Sequence, residues 1–236
     1  MIPDRPEYTA TLLARQQLTP NVFGFRFSRP PGFAFQAGQF IQFKIPQPDD
    51  FVWRSYSIAS APSADYLDFC VKIIPGGKAS DFFLTLAVGS ETSFIGPNGF
   101  FISTPTAEAN KIFIGTGTGL APLISILADR IPQKIAGEKY SLIFGVRTEQ
   151  DLFWQDRLQA LALESTQFSF ATTLTQPQLQ NQNIWSGLTG RVIGHIPVTS
   201  EPADYYLCGS LEMIKDVRTV LLYQKVPMKQ IHFEIY

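Results

Sequence analysis

Apolar and polar residues alternate along the first hundred or so positions. In FIQFKI, Ile41, Phe43 and Ile45 alternate with Gln42 and Lys44; in VFGFRF, Phe23, Phe25 and Phe27 alternate with Val22, Gly24 and Arg26. In YLDFCVKII, Leu67, Phe69, Val71 and Ile73 alternate with Asp68, Cys70 and Lys72. A period of two, with turn residues between segments, predicts half-buried antiparallel strands. Several such strands in succession predict a barrel or a sandwich.

The pattern changes near ISTPTAEAN, residues 102–110, which reads as a linker. Beyond it the strand KIFIG is apolar almost throughout, and APLISILADRI is helix-like. YSLIFGV is a further strand, and in DLFWQDRLQALAL the residues Trp154, Leu158 and Leu161 keep helical spacing. The strands FSFATTL and YYLCG follow, and LEMIKDVRTVLL sets Ile214, Val217 and Leu221 on one helical face. The polar TQPQLQNQNIWSG reads as a loop. Strands alternating with helices predict a parallel sheet covered on both faces. The expected architecture is an antiparallel β-barrel domain over residues 1–104 and an α/β, Rossmann-like domain over residues 105–236.

Composition narrows the class. Hydrophobic residues at 45% supply two cores, and a net charge of −1 gives no reason to expect nucleic acid or an anionic membrane as partner. The uncharged run from Ile112 to Ala128 approaches the length of a membrane span, but its central glycines, threonines and proline fit strand, turn and helix, so no span is expected. The 20 phenylalanines suit β-rich packing or a flat aromatic ligand. Two distant cysteines, Cys70 and Cys208, exclude a four-cysteine iron–sulfur cluster and a structural zinc site. His195 and His232 have no metal-ligating neighbours in sequence and read as surface or packing residues. The polar N-terminus has no signal-peptide core, which suggests the cytoplasm.

Candidate chemistry starts at GTGTGLAP, residues 115–122, between a buried strand and a helix. Gly115, Gly117 and Gly119 permit a tight turn, and Pro122 suits a first helical turn. A helix N-terminus presents free N–H groups to a diphosphate. The spacing matches neither G-x-G-x-x-G nor a Walker loop, so a ligand-free turn stays open on this motif alone.

Seven motifs run in order: RSYSIAS, GGKAS, GPNGFF, GTGTGLAP, GVRTEQDLFW, YLCGS and a terminal FEIY. Together they resemble the ferredoxin–NADP reductase family of flavoproteins over nearly the whole chain. The resemblance implies FAD as cofactor, NAD(P)H as co-substrate and a barrel followed by a nucleotide domain. It assigns Arg54 to the flavin phosphate, Tyr56 to stacking on the flavin ring and Ser57 to its reactive nitrogen. Ser55 stands where the family commonly has proline. Gly76, Gly77, Lys78, Ala79 and Ser80 would receive the FAD diphosphate, with backbone donors and a hydroxyl. Thr116, Gly117 and Thr118, with Gly115, would receive the nicotinamide diphosphate.

Cys208 and Gly209 would sit beside the nicotinamide ring, although a cysteine there also fits simple burial. Cys70 receives no role. In place of the serine–arginine pair of plant-like members stand Thr175 and Gln176, leaving Arg147 as a phosphate ligand or a solvated charge. The choice between NADH and NADPH leans to NADH. The resemblance implies hydride transfer between nicotinamide and flavin, then single-electron transfer to a separate carrier: a ferredoxin, a flavodoxin or an oxygenase component. A free-flavin or quinone reductase and a non-catalytic nucleotide-binding subunit are the alternatives. Glu234 would be the ionisable group near the flavin. Tyr236 would cover the flavin face and move aside for the nicotinamide.

Overall fold

The computed structural model describes residues 6–103, 109–178, 185–197, 199 and 201–235. The domain boundary expected at 104/105 lies outside the described residues.

The first unit is built from β1 (Glu7–Gln17), β2 (Val22–Ser28), β3 (Phe40–Pro46), β4 (Phe51–Ser57), β5 (Tyr66–Lys72), the helix α1 (Lys78–Thr85) and β6 (Glu91–Asn98). Its strands form one antiparallel sheet in the order β4-β3-β6-β1-β2-β5. This is the expected barrel-like architecture. In β3 the alternation holds: Ile41, Phe43 and Ile45 are fully buried. Phe43 gathers the core, with Phe69 at 5.1 Å and Phe83 of α1 at 5.4 Å, both edge to face. Edge-to-face rings match the positive edge of one quadrupole to the negative face of another.

β5 departs from expectation. Leu67, Phe69 and Val71 enter the core, but the intervening Asp68 and Cys70 are each only 6% exposed. The strand is buried on both faces because the second unit packs against its outer side.

That second unit runs β7 (Asn110–Thr116), α2 (Leu120–Arg130), β8 (Lys139–Val146), α3 (Gln155–Glu164), β9 (Phe168–Leu174), β10 (Leu188–Thr189), β11 (Ala203–Gly209), α4 (Leu211–Tyr223) and β12 (Ile231–Ile235). The strands pair in parallel, in the order β10-β9-β8-β7-β11-β12. Chain order runs outward from β7 to one edge and then returns to its other side at β11. The crevice between the C-terminal ends of β7 and β11 is therefore a topological switch point, where open α/β sheets bind ligands. The run Ile112–Ala128 divides into strand, turn and helix. Among the described residues no helix is long and apolar enough to cross a membrane.

Ile214, Val217 and Leu221 form the buried face of α4, as their spacing predicts. The helix expected from DLFWQDRLQALAL begins only at Gln155. Trp154 stands before it in left-handed backbone at φ 53, so the helical spacing of Trp154 with Leu158 and Leu161 does not reflect a shared helix. Two polar groups lie deep in this sheet: Lys111 of β7 donates to Asp204 of the adjacent β11 at 2.9 Å, and their side chains are 0% and 2% exposed. His232 of β12 stacks on Tyr206 at 4.7 Å and approaches Asp204 at 3.6 Å, a packing role as expected.

Candidate functional site

The site forms where β4 of the first unit meets the C-terminal ends of β7, β11 and β12. On β4, Arg54 and Ser55 are exposed, while Tyr56 and Ser57 are half-buried. Arg54 donates to its neighbour Trp53 O at 2.9 Å, and Ser55 Oγ accepts weakly from Gln42 at 3.4 Å. The Tyr56 ring stands edge to face on Phe83, 5.1 Å away, which fixes the plane it offers outward. Burial pushes its phenol up to about 12, with Arg54 opposing, so the ring stays neutral.

The start of α1 carries the residues expected to take the FAD diphosphate. Gly76 has φ +70. Gly77 is the N-cap, and its N–H donates to Ile74 O at 2.9 Å. The expectation that Gly77 offers a donor is thus corrected: its donor is already engaged. Its role is steric, since an added Cβ would lie 3.0 Å from Ile74 O. Ser80 is buried, and its Oγ accepts from Ile74 N at 2.8 Å, bracing the turn. The amides of Lys78, Ala79 and Ser80 occupy the first turn, where an α-helix leaves donors unpaired.

The glycine loop closes on β11. Gly117 has φ +53, a conformation that favours glycine. A Cβ on Gly119 would lie 2.3 Å from Cys208 O, and one on Gly209 would lie 2.2 Å from Thr116 Oγ1. Ser210 N donates to Thr116 Oγ1 at 3.4 Å, and Ser210 caps α4 by accepting from Met213 N. Beside the loop opens a cleft of about 640 Å³ that Thr116, Gly117, Thr118, Arg147, Thr175 and Gln176 help to line. The sequence reading missed Arg191, which also lines it. Arg191 is held by Glu212 and by Asp216 at 3.0 Å. The signal available was an arginine after the glycine of SGLTGR, but its carboxylate partners lie a helix away.

Ser57 Oγ donates to Glu234 Oε1 at 3.1 Å, joining β4 to β12 across the two units. Glu234 pairs in register with Cys208, and Gly209 with Ile235. Burial raises the Glu234 carboxyl, opposed by the bond from Ser57. Burial also raises the Cys208 thiol well above its ordinary value, helped by the nearby Glu234 and Cys70. Cys208 is therefore a neutral wall and not a nucleophile. Tyr236 lies outside the described residues.

A raised carboxyl in the folded state means that folding takes up a proton. The stability associated with Glu234 is then greatest at acid pH and falls as pH rises through its folded value. Glu234→Gln should flatten this part of the stability profile, from about pH 4 upward. Denaturant unfolding across that range would test it; an unchanged slope would refute the assignment.

The residues fit a flavin and a nicotinamide nucleotide. A glycine turn opens α1 beside a fixed aromatic plane, and a second glycine loop, whose Gly119 has no room for a Cβ, faces a cleft at the switch point. This defines a flavin- and nicotinamide-dependent oxidoreductase. Residues 9–102 match the family described as oxidoreductase FAD-binding domain, and residues 113–219 match the oxidoreductase NAD-binding domain. A ferredoxin–NADP reductase B of Sorangium cellulosum is 34% identical, with 97% of both chains covered. The anthranilate 1,2-dioxygenase electron transfer component of Acinetobacter baylyi is 32% identical over 85% of this chain but only 57% of its own length. Among solved structures, a ferredoxin NADP+ reductase from Neisseria gonorrhoeae with bound FAD and NADP has a TM-score of 0.84 at 29% identity, covering 97% of this chain and 98% of that one. The chain belongs to the ferredoxin–NADP reductase family.

Proposed function

We propose that this reductase takes a hydride from NAD(P)H and delivers electrons one at a time to a separate carrier protein: a ferredoxin, a flavodoxin or an oxygenase component. The observation that carries the reading is the Ser57–Glu234 bond, which brings the flavin strand to the end of the nucleotide sheet beside Cys208. Full-length similarity to a ferredoxin–NADP reductase supports the kind of acceptor. The division into residues 1–104 and 105–236 is part of the proposal, supported by family matches that end at 102 and begin again at 113.

When bound, the flavin supplies the conversion from two-electron to one-electron chemistry. Arg54 holds a flavin phosphate by a charge-assisted contact, and the amides of Lys78, Ala79 and Ser80 take the diphosphate. Tyr56 gives the flavin ring a rigid wall, and Ser57 holds Glu234 in place to retain or pass a proton. Thr116, Gly117 and Thr118 seat the nicotinamide diphosphate, and the Cys208–Gly209 turn, with no side chain at Gly209, lets the nicotinamide ring approach.

The nucleotide we favour is NADH. Thr175 and Gln176 carry no charge, and Arg191 is already matched by two carboxylates that a 2′-phosphate would have to displace. Anaerobic titration of the flavin-loaded protein tests both points. Bleaching by NADH at lower concentration than by NADPH is expected; the reverse order overturns the preference, and no bleaching by either overturns the reductase. We place the protein in the cytoplasm, where NADH is made and where free thiols such as Cys70 and Cys208 persist. Recovery from an oxidising compartment after fractionation would refute that placement.

A further inference from the structure

The outer face of β5 points to a role that the motif residues do not cover. By its alternation this face should meet water. Instead it carries two contacts to the nucleotide domain, and Ser60, which is bonded to Asp68, carries a third. Asp68 accepts two bonds from Arg26 of its own sheet, at 2.8 and 2.9 Å, and a further bond from Arg157 of α3. Cys70 Sγ lies 3.7 Å from Thr118 O, in the glycine loop itself. Ser60 Oγ accepts from Asp68 N at 3.2 Å, while Ser60 O accepts from Ser125 of α2 at 2.7 Å.

Each contact has its geometry restricted. The Arg26 guanidinium meets Asp68 as a bidentate fork and lies 3.7 Å from the Tyr66 ring centroid. The Arg157 guanidinium lies 4.6 Å from the Trp154 ring centroid. The left-handed backbone at Trp154 turns that ring alongside the first turn of α3. Cys70 is pushed up to about 12 by burial, so its thiol keeps the hydrogen it offers to Thr118 O. The contacts therefore reach α3 and the glycine loop from β5, whose other face is locked into the flavin-domain core, and α2 from Ser60 beside it.

We propose that Asp68 is a positioning residue for hydride transfer: through Arg157 it fixes the registry of the nucleotide domain on the flavin domain, with Cys70 and Ser60 holding the glycine loop and α2 on the same face. The inference rests on the hydride-transfer reading above. Its physical basis is that reacting atoms must approach to about 3–3.5 Å, and a shift of about 1 Å can cost roughly a hundredfold in rate. A clasp remote from the rings can thus govern rate without touching either ligand.

Arg157→Met tests this while leaving Asp68 paired with Arg26. The flavin-loaded protein is mixed anaerobically with NADH and with NADPH, and the limiting rate of flavin bleaching and the nucleotide dissociation constant are read separately. We expect the limiting rate to fall about tenfold or more, nucleotide affinity to change less than about threefold, and flavin content to stay at the wild-type level. Arg157→Lys should recover part of the rate, since a cation again faces Asp68. An unchanged limiting rate in Arg157→Met overturns the proposal. So does a rate loss that only tracks lost flavin or lowered thermal stability, which would make the clasp a stabilising contact alone. Wild-type protein that neither nucleotide bleaches would overturn the reductase reading instead, so the two failures are distinguishable.

Discussion

Gly119→Ala is expected to abolish nucleotide-dependent bleaching of the flavin and to destabilise the protein by about 3 kcal/mol, the upper end of the usual overpacking range. The added Cβ would lie 2.3 Å from Cys208 O, 2.5 Å from Cys208 C and 2.8 Å from Gly209 N. All three are backbone atoms of β11, a strand held between β7 and β12. No side chain can swing aside to make room, so loop and strand end must separate. That separation opens the crevice where the nucleotide diphosphate and the nicotinamide ring are seated in our reading. Gly194→Ala serves as the control, because nothing lies within 4 Å of its added Cβ and its φ is not positive. Denaturant unfolding and nucleotide titration measure the two effects. Wild-type affinity and stability in Gly119→Ala would sink both the close-contact argument and the assignment of the loop.

Lys111→Met should destabilise the protein by about 3–5 kcal/mol without a direct effect on either ligand. Lys111 and Asp204 are almost completely shielded from water, and their bond crosses adjacent central strands. Removing the ammonium takes its charged partner from a buried carboxylate. His232, at 3.6 Å from Asp204, is placed to compensate in part, at the expense of its stacking on Tyr206. Replacing both partners, as Lys111→Met with Asp204→Leu, should restore much of the loss, because a buried pair stabilises little over a well-packed apolar substitute. Unfolding midpoints of the single and double variants provide the test. A single variant within about 0.5 kcal/mol of wild type, the range of ordinary surface substitutions, would show that the pair is dispensable.

The two architectures were legible in the sequence because each obeys its own period. Ile41, Phe43 and Ile45 repeat at two, and Ile214, Val217 and Leu221 repeat at helical spacing, and each set is the buried face of its element. The glycine loop was legible because the turn and the helix start both depend on local backbone. What escaped depends on contacts between distant segments. Asp68 and Cys70 read as solvent-facing because a strand's sequence does not reveal that a second domain will cover it. Trp154 satisfied helical spacing and yet lies outside the helix, since spacing does not encode a left-handed residue at the cap. Gly77 belongs to the motif expected to bind phosphate, but its amide is taken by Ile74 O, a matter of turn geometry. Arg191 went unnoticed because its importance comes from Glu212 and Asp216 and from the cleft they share.

Trp154 has a further use. The protein has three tryptophans, and among the described residues only Trp154 stacks on an arginine that bridges the two domains. With Trp53 and Trp185 replaced by phenylalanine, its emission becomes a single optical reporter of the seam. Opening the domains would part Asp68 from Arg157, release the guanidinium that rests on the indole and admit water, changing intensity and wavelength together. Domain motion during turnover could then be followed in real time without an attached dye.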